Sequence, residues 1–301
     1  MFIDDALEIK ICFCQLMLPP KRNGFAWAVL LCGDKFREEK MTMSNVVTNT
    51  LHIDDPMSGI DMYYEIHGQG EPLLLLHGGT GIGANWNLIF PQPPEGFQLI
   101  IPDLRGHGRS TNPSMTFTFR QCASDVIALM DNLGIERLKA IGLSLGAKTL
   151  LHIATRRPNR LDAMVLVSGA PFFPQQARAI MKAVSLQDHT EQEWEQMRAW
   201  HKHGDDQIRA LWKMVDGFKD NFDDLSFTPP HLATITARTL IVHGDRDPLY
   251  PVGLAMEMHA AILNSHLWVV PNGGHGPIFG DFTEPFVKTA LSFLRNQWSS
   301  R

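Results

Sequence analysis

The sequence of 301 residues is poor in three features that mark other classes of protein. It has only 4 cysteines and no C-x-x-C pair, so neither a disulfide framework nor a zinc site is indicated. Its formal net charge of −5 argues against nucleic acid as a partner, because phosphates require clustered lysine and arginine. No apolar run reaches the ~20 residues that cross a bilayer. We therefore expect a cytoplasmic protein that binds no metal, nucleic acid or membrane.

Short apolar segments alternate with helical ones from Met43 onward, and with 44% hydrophobic residues the chain can bury one large core. Continuous apolar strands are typical of a parallel sheet that helices cover on both faces. We therefore predict an α/β fold with a mostly parallel central sheet flanked by helices. The predicted strands are 62–66, 72–76, 98–102, 138–143, 164–167, 239–243 and 266–270. The predicted helices are 119–133, 145–157 and 282–298.

A serine between two glycines follows one of these strands, in the stretch Ala140–Ala147. The stretch matches G-x-S-x-G, a strand-to-helix turn in which small residues let the two backbones approach closely while the serine hydroxyl stays exposed. Ser144 is therefore a candidate nucleophile, although a flexible surface loop can produce the same pattern. A serine hydroxyl is a poor nucleophile at neutral pH, so it needs a base, and the base needs an acid that orients it.

Two turns that follow later predicted strands supply these partners. Asp245 and Asp247 lie in the turn after strand 239–243, and the glycine-flanked His275 follows strand 266–270. Because open α/β sheets place their ligands at the carboxyl ends of strands, the serine, acid and histidine are predicted to meet there. The order serine, aspartate, histidine differs from the orders of the two common serine proteases.

Four motifs in this order resemble those of the α/β-hydrolase fold superfamily, over a region from about Ile60 to Trp298. They are Leu73–Gly79, Asp103–Ser110, the turn at Ser144, and the pair Asp247 and His275. The resemblance implies an α/β-hydrolase core at residues 44–170 and 233–301, with a helical cap over the site at residues 171–232. It also implies that the acid is Asp247, the last residue of a G-x-x-D turn, and no carboxylate follows strand 164–167 to compete with it.

The resemblance implies roles for the remaining site residues as well. Asp245 becomes a turn residue whose side chain hydrogen-bonds the backbone. The N–H groups of Leu145 and Gly79 are expected to hold the oxygen that becomes negative in the tetrahedral intermediate, with Thr80 as the alternative to Gly79. No metal or organic cofactor is implied. The motif histidines at positions 77 and 107 are expected to serve loop geometry.

The loop after strand 72–76 allows a second interpretation. Gly79–Ala84 satisfies G-x-G-x-x-A, and Asp103 lies where the ribose-binding acid of a dinucleotide site would be. Such a site needs a long helix whose N-terminus holds the pyrophosphate, yet prolines at positions 91, 93 and 94 interrupt the segment. Because this interpretation also leaves the serine, aspartate and histidine unexplained, we do not favour it.

The predicted cap contains eight aromatic residues, and a cap this apolar is expected to cover something apolar. The candidates for the substrate pocket are Trp86, Phe172, Phe173 and Trp212. For each of them, packing in a core is the competing interpretation. The run His201–Asp206 could be drawn as a metal site, but adjacent residues in a loop seldom converge on one ion, so we expect a solvated turn there.

These features together predict a serine hydrolase that cleaves a carboxylic ester or lactone of a small, largely apolar substrate through an acyl-enzyme. The same three residues also serve C–C bond hydrolases, thioesterases, aminopeptidases, acyltransferases and cofactor-free perhydrolases. Epoxide hydrolases and haloalkane dehalogenases are disfavoured, because those relatives carry an aspartate where Ser144 stands. A ligand receptor or binding module of the same fold, in an unknown oligomeric state, is the alternative from another class.

Residues 1–43 are predicted to form a leader outside the catalytic domain. The leader precedes every motif, holds three of the cysteines, and begins with acidic residues, whereas a secretory segment begins with positive charge. We expect a chain that begins at Met43 to melt at nearly the same temperature as the full chain and to keep full esterase activity.

The competing expectation is that the leader packs on the domain through Phe25, Trp27, Val29 and Leu30. Burying each such side chain would contribute about 1.5–3 kcal/mol, so its removal would lower the melting temperature by several degrees. Thermal denaturation of the two chains distinguishes these outcomes, and an insoluble or much less stable short chain would show that the leader belongs to the folded domain.

Overall fold

The computed structural model describes residues 46–54, 59–183 and 189–298, and the predicted leader lies outside the described residues. The described part has eight strands: β1 (Val46–Ile53), β2 (Ile60–Gly68), β3 (Glu71–Leu76), β4 (Phe97–Pro102), β5 (Leu138–Leu143), β6 (Leu161–Val167), β7 (Arg238–Gly244) and β8 (Ser265–Val270). It has eight α-helices: α1 (Phe119–Asn132), α2 (Leu145–Arg156), α3 (Gln175–Ala183), α4 (Glu191–Trp200), α5 (Asp205–Gly217), α6 (Pro229–Leu232), α7 (Val252–Ala261) and α8 (Thr283–Leu294).

The strands form one sheet in the order β1-β2-β4-β3-β5-β6-β7-β8. Strands β1 and β2 at one edge run antiparallel to their neighbours, and β3 to β8 are parallel. The predicted α/β fold with a mostly parallel sheet is confirmed. Each of the seven predicted strands lies within the bounds of an observed one.

The sequence prediction missed two elements and overextended a third. The first five residues of β1 are exposed, so its sequence shows no apolar alternation. The short helix α7 carries apolar residues on several sides, so no single apolar stripe marks it. Helix α8 ends at Leu294 instead of continuing to Trp298, because Asn296 adopts the left-handed conformation with φ 57°.

The side chains of β3 show why the strands are apolar along their length. Leu74 and Leu76 belong to one core, and Leu73 and Leu75 belong to a second core on the opposite face of the sheet. The first core contains residues of α1, α2 and α7, and the second contains residues of α8. Burial on both faces therefore requires an apolar residue at each of the four buried positions, Leu73–Leu76.

The insertion, residues 171–232, lies between β6 and β7 and is helical, as the sequence predicts. Phe173, Phe218 and Phe227 belong to the same core as α1 and α2, so the insertion shares a core with one face of the sheet. A smaller apolar cluster lies within the insertion itself and consists of Met197, Ile208, Leu211 and Trp212.

Polar contacts fix the insertion to the loops at the carboxyl edge of the sheet. The Gln207 side-chain amide donates to the carbonyl oxygens of Gly106, at 3.0 Å, and Gly108, at 3.1 Å. Asp224 accepts the N–H groups of Phe119, at 2.5 Å, and Arg120, at 3.2 Å, at the start of α1. The insertion is thus joined to the α/β unit through side-chain hydrogen bonds as well as apolar packing.

The loop after β3 contradicts the dinucleotide interpretation. Its glycines lead into the short 3-10 helix Gly83–Leu88 in place of a long helix. The Asp103 carboxylate accepts the N–H groups of Gly83, at 2.8 Å, and Arg109, at 2.9 Å, and so ties two loops together. Across the three described ranges, no helix combines the length and the apolar character that spanning a membrane would require.

Candidate active site

Ser144 lies at a sharp turn between β5 and α2, with φ 49° and ψ −100°, a conformation that residues with a side chain seldom adopt. Its N–H donates to the carbonyl oxygen of Val167, at 2.8 Å. A Cβ on Gly142 would lie 2.6 Å from the backbone of Gly146, and a Cβ on Gly146 would overlap the carbonyl of Leu76. The two glycines of the motif are therefore required for β3, β5 and α2 to approach one another.

The structure brings together the three side chains that the sequence singled out. His275 Nε2 lies 2.8 Å from Ser144 Oγ, and His275 Nδ1 lies 2.8 Å from Asp247 Oδ2. The three residues follow β5, β7 and β8, whose carboxyl ends meet at one edge of the sheet. Ser144 is 7% exposed, Asp247 6% and His275 4%. In the tautomer these partners favour, Nδ1 donates to the carboxylate and Nε2 accepts from the hydroxyl.

The second oxygen of Asp247 holds the turn after β7. Oδ1 accepts the N–H groups of Leu249, at 2.8 Å, and Tyr250, at 3.1 Å. Burial alone would raise the pKa of this carboxyl, but the charge and hydrogen bond of His275, together with the neighbouring His243, hold the pKa below its usual range. Asp245 is exposed and makes no side-chain hydrogen bond within the described ranges. The turn role that the sequence gave to Asp245 therefore belongs to Asp247.

The predicted oxyanion donors, Gly79 and Leu145, are neighbours. A Cβ on Gly79 would lie 3.7 Å from Leu145 Cδ1. Leu145 is the first residue of α2, so its N–H has no acceptor within the helix. The N–H of Gly146 donates to the His77 carbonyl, at 3.1 Å, and the N–H of Thr80 donates to His107 Nε2, at 3.2 Å. Because the Thr80 N–H is already bonded, Gly79 is the better candidate of the two.

Buried histidines hold the loops around the site. His77 Nε2 accepts the N–H of Leu104, at 2.9 Å, and His107 Nε2 accepts the N–H of Thr80. The Nδ1 atom of each ring contacts a carbonyl oxygen, at 2.8 Å and 2.9 Å respectively. Burial, reinforced by neighbouring histidines, lowers the pKa of His77 to about 4 and that of His107 to about 3. Both rings are therefore neutral, and their bonds serve loop geometry as predicted.

The sequence prediction of a solvated turn is wrong for His201. The ring is 2% exposed, accepts the N–H of Gly108 at Nδ1, at 2.8 Å, and donates from Nε2 to the Thr80 carbonyl, at 3.1 Å. Burial, and then the neighbouring His107, lowers its pKa to about 3. His201 follows α4 directly, so the packing of the insertion brings it onto the loop that carries Gly79. In the part of the chain described here, no cluster of three or more His, Cys, Asp or Glu side chains could hold a metal ion.

The four predicted pocket residues lie in different surroundings. Trp86 packs in the core on the α8 face of the sheet, and Trp212 packs in the insertion's own cluster, so both fill cores where the sequence predicted a pocket. Phe172 is 37% exposed. Phe173 lies 6.5 Å from the ring of Tyr250, which in turn lies 5.3 Å from the ring of His275. The sequence did not predict Tyr250 as a residue of the site, although it follows the Asp247 turn directly.

A family model described as the alpha/beta hydrolase fold matches residues 71–282. The chain belongs to the α/β hydrolase fold family. This match spans the strand before the Gly79 loop, the turn at Ser144 and the residues at Asp247 and His275. The protein is therefore a hydrolase with the fold that the sequence motifs predicted.

Individual relatives resemble this α/β hydrolase over most of its length. A human protein named serine hydrolase BPHL is 26% identical over 249 residues, which cover 79% of this chain and 84% of that protein. A 2-hydroxy-6-oxononadienedioate/2-hydroxy-6-oxononatrienedioate hydrolase of Pseudomonas putida is 27% identical over 276 residues, which cover 79% of this chain and 92% of that protein. The structure of a mutant meta-cleavage product hydrolase, CumD, superposes with a TM-score of 0.68 at 22% identity. The superposition covers 82% of this chain and 98% of that one.

Replacing Asp247 by asparagine is expected to lower kcat on the order of 10⁴-fold. The asparagine carbonyl can still accept the N–H groups of Leu249 and Tyr250, which leaves its NH₂ group facing His275 Nδ1. Two donors then face each other, so the imidazole turns to the tautomer that cannot accept the Ser144 proton. Steady-state kinetics on an ester substrate measures the loss. The exposed Asp245→Asn is the matched control, and equal catalytic losses in the two variants would contradict the assignment of the acid.

Replacing His201 by alanine is expected to leave the Gly108 N–H and the Thr80 carbonyl buried without partners, at about 1–3 kcal/mol for each group. Thermal denaturation should show a fall of several degrees in the melting temperature. His203→Ala is the control, because that ring is exposed and makes one hydrogen bond, to the Arg109 carbonyl. A His201 variant as stable as the His203 variant would contradict this account.

Comparing wild type with His201→Ala also tests whether the His201 ring is neutral. In the unfolded chain His201 takes up a proton below about pH 6.5, whereas in the folded protein it stays neutral down to about pH 3. The free energy of unfolding therefore falls as the pH falls through this window. One such ring contributes up to about 1.4 kcal/mol per pH unit. The melting temperature of wild type should therefore fall more steeply with acid than that of His201→Ala, and equal slopes would show that the buried ring is protonated.

Proposed function

We propose that this protein is a serine hydrolase that cleaves a carboxylic ester or lactone of a small, largely apolar substrate through an acyl-enzyme. The observation that carries the proposal is the pair of 2.8 Å contacts that joins Ser144 Oγ to His275 and His275 to Asp247. This arrangement gives a serine hydroxyl a base within hydrogen-bond reach and gives the base an orienting carboxylate.

In the first half-reaction Ser144 Oγ attacks the substrate carbonyl carbon while His275 Nε2 takes the hydroxyl proton. The imidazolium that forms is stabilised by the Asp247 carboxylate on the other ring nitrogen, which is buried and already ionised. The same proton is then given to the leaving alcohol as the tetrahedral intermediate collapses to the acyl-enzyme. Water, deprotonated by His275, attacks the acyl-enzyme and releases the carboxylic acid.

The negative charge on the carbonyl oxygen of the intermediate would be held by the N–H groups of Gly79 and Leu145. Donors fixed in a water-poor site stabilise such charge at no cost of reorganisation, and one donor is commonly worth 10²- to 10³-fold in kcat. The Gly79 donor lies in the loop that His107 and His201 hold through Thr80. These histidines therefore act as positioning residues for the oxyanion hole.

The insertion would act as a cap that closes the site from water. Ser144, Asp247 and His275 are all at least nine-tenths buried, and the insertion contributes Phe173 beside the Tyr250 ring that contacts His275. Aromatic walls of this kind favour a substrate with an apolar body. Water exclusion also strengthens the electrostatic terms within the site.

C–C bond hydrolysis is the second candidate function. It is favoured by the similarity to the Pseudomonas putida hydrolase, whose name gives it an oxo-dienedioate substrate. The two reactions can use the same three side chains, so the site geometry does not separate them. Turnover of a vinylogous diketo acid at a rate above that of simple esters would favour the C–C reaction for this protein.

A fluorophosphonate probe is expected to label Ser144 covalently, because only a serine activated by a base attacks such a phosphorus centre at neutral pH. The Ser144→Ala variant should lose labelling and lose about 10⁴-fold or more in kcat while melting near the wild-type temperature. Mass spectrometry of the labelled peptide and ester hydrolysis assays measure the two effects.

Ser168→Ala is the matched control. Ser168 is also buried, also has φ 49° and also follows a parallel strand, but its hydroxyl has no hydrogen-bond partner in the described structure. This variant should keep its labelling. Labelling that survives in Ser144→Ala would contradict the proposed nucleophile, and labelling without turnover of any ester would favour the binding-module alternative.

A further inference from the structure

Lys148 is a buried lysine one helical turn beyond Ser144. It lies on α2, and its N–H donates to the carbonyl oxygen of Ser144, at 3.0 Å. The residue is 2% exposed, although lysine is among the residue types that are least often buried without a charged partner. Its position on the helix therefore places an amine inside the protein close to the proposed nucleophile.

Aromatic rings, and no acceptor, surround the Lys148 amine. Nζ lies 4.5 Å from the centre of the Tyr250 ring, 5.2 Å from that of Phe173 and 5.8 Å from that of Phe119. Among the described residues, no carboxylate is within ion-pair distance of Nζ and no hydrogen bond ends on it. The ring faces attract an ammonium group but cannot accept its three N–H donors as oxygen atoms would.

This environment leaves the ammonium under-solvated. Burial lowers the pKa of Lys148 to about 7, and the longer-range attraction of Asp247 offsets only part of that effect. Buried donors in native proteins almost always have acceptors in the protein or in bound water, and the protein supplies none to Nζ among the described residues, so these donors have capacity for a molecule that enters the site. An anion would both satisfy the donors and favour the charged form of the lysine.

The amine lies near the triad and is not completely enclosed by protein. Six side-chain nitrogen or oxygen atoms in the described chain are sealed from solvent without a hydrogen-bond partner, and Lys148 Nζ is not among them. Since Nζ also makes no hydrogen bond within the described chain, it is not sealed, and a molecule the size of water can reach it. The Tyr250 ring lies 4.5 Å from Nζ and 5.3 Å from the His275 ring, so at most about 10 Å separates the amine from that imidazole.

We propose that Lys148 is a specificity-determining residue that binds a carboxylate in the acyl part of the substrate. The proposal rests on the function proposed above and narrows it to esters or lactones whose apolar acyl chain ends in an anion. Lys148 lies on α2, the helix whose first N–H is proposed to hold the acyl carbonyl oxygen, and its amine lies within about 10 Å of the His275 ring, which is within reach of the end of a short acyl chain. The Phe173 and Tyr250 rings then line the apolar chain between the two ends.

The test compares two sets of 4-nitrophenyl esters with equal chain lengths. One set consists of monoesters of adipic and suberic acid, which end in a carboxylate, and the other consists of hexanoate and octanoate esters, which end in a methyl group. Wild type should have a higher kcat/KM for the carboxylate esters by roughly 10- to 100-fold, as expected for hydrogen bonds to a charged group. The ratio of the two kcat/KM values is the readout, because general losses of activity cancel in it.

Lys148→Met keeps the length of the side chain and removes the charge. It should reduce the ratio to about one or below, mainly through a higher KM for the carboxylate esters. Lys139→Met is the matched control, because Lys139 lies on β5 and pairs with Glu71, away from the triad. That variant should keep the wild-type ratio.

A wild-type ratio near or below one, with the neutral esters hydrolysed, would overturn the proposal and leave the hydrolase assignment intact. Equal losses for both ester sets in Lys148→Met would also overturn it, because they would indicate a packing role. If Lys148→Met does not fold, the wild-type ratio still decides. Failure to hydrolyse any ester, with no labelling of Ser144, would instead contradict the function on which the proposal rests.

Discussion

The close approach of α2 to β3 and β5 is the constraint on which the site depends. A side chain at Gly142 or Gly146 would collide with backbone, so the turn between them can close only with glycine at both positions. Closure holds Ser144 in a strained conformation and leaves the first N–H of α2 without an acceptor in its own helix. The same packing thus presents the Ser144 hydroxyl to His275 and supplies a donor beside it.

A second constraint is the neutral state of the histidines that join the loops. His107 accepts the N–H of Thr80, and His201 donates to the carbonyl of the same residue. The loop that carries Gly79 is therefore bonded both to the loop after β4 and to the insertion. Both rings use one nitrogen as a donor and the other as an acceptor, which is possible only when the ring is uncharged. Burial keeps them so, because it penalises the charged form. The insertion is therefore part of the machinery that shapes the proposed oxyanion hole.

Two buried ionisable groups near the proposed nucleophile, Asp247 and Lys148, have different surroundings. Asp247 carries a negative charge that backbone N–H groups and His275 stabilise, whereas Lys148 carries an amine that, among the described residues, is supported by aromatic rings and distant charge. The two groups therefore differ in what they need from a ligand. The carboxylate is satisfied within the protein, and the amine has capacity left for an anion. This asymmetry is the physical basis of the proposal that the substrate has an apolar body and a charged end.

The sequence by itself determined seven of the eight described strands and the three residues of the proposed triad. Strands buried on both faces must be apolar throughout, and a nucleophile elbow needs its glycines, so both leave local patterns that can be read. The tertiary structure alone decided the surroundings of His201, Trp212 and Lys148. The surroundings of His201 and Lys148 come from the packing of the insertion against the α/β unit, and those of Trp212 come from the packing of the insertion's own helices. A histidine beside a turn, a tryptophan in a helix and a lysine after a serine have no local pattern that distinguishes buried from solvated, so only the fold could place them.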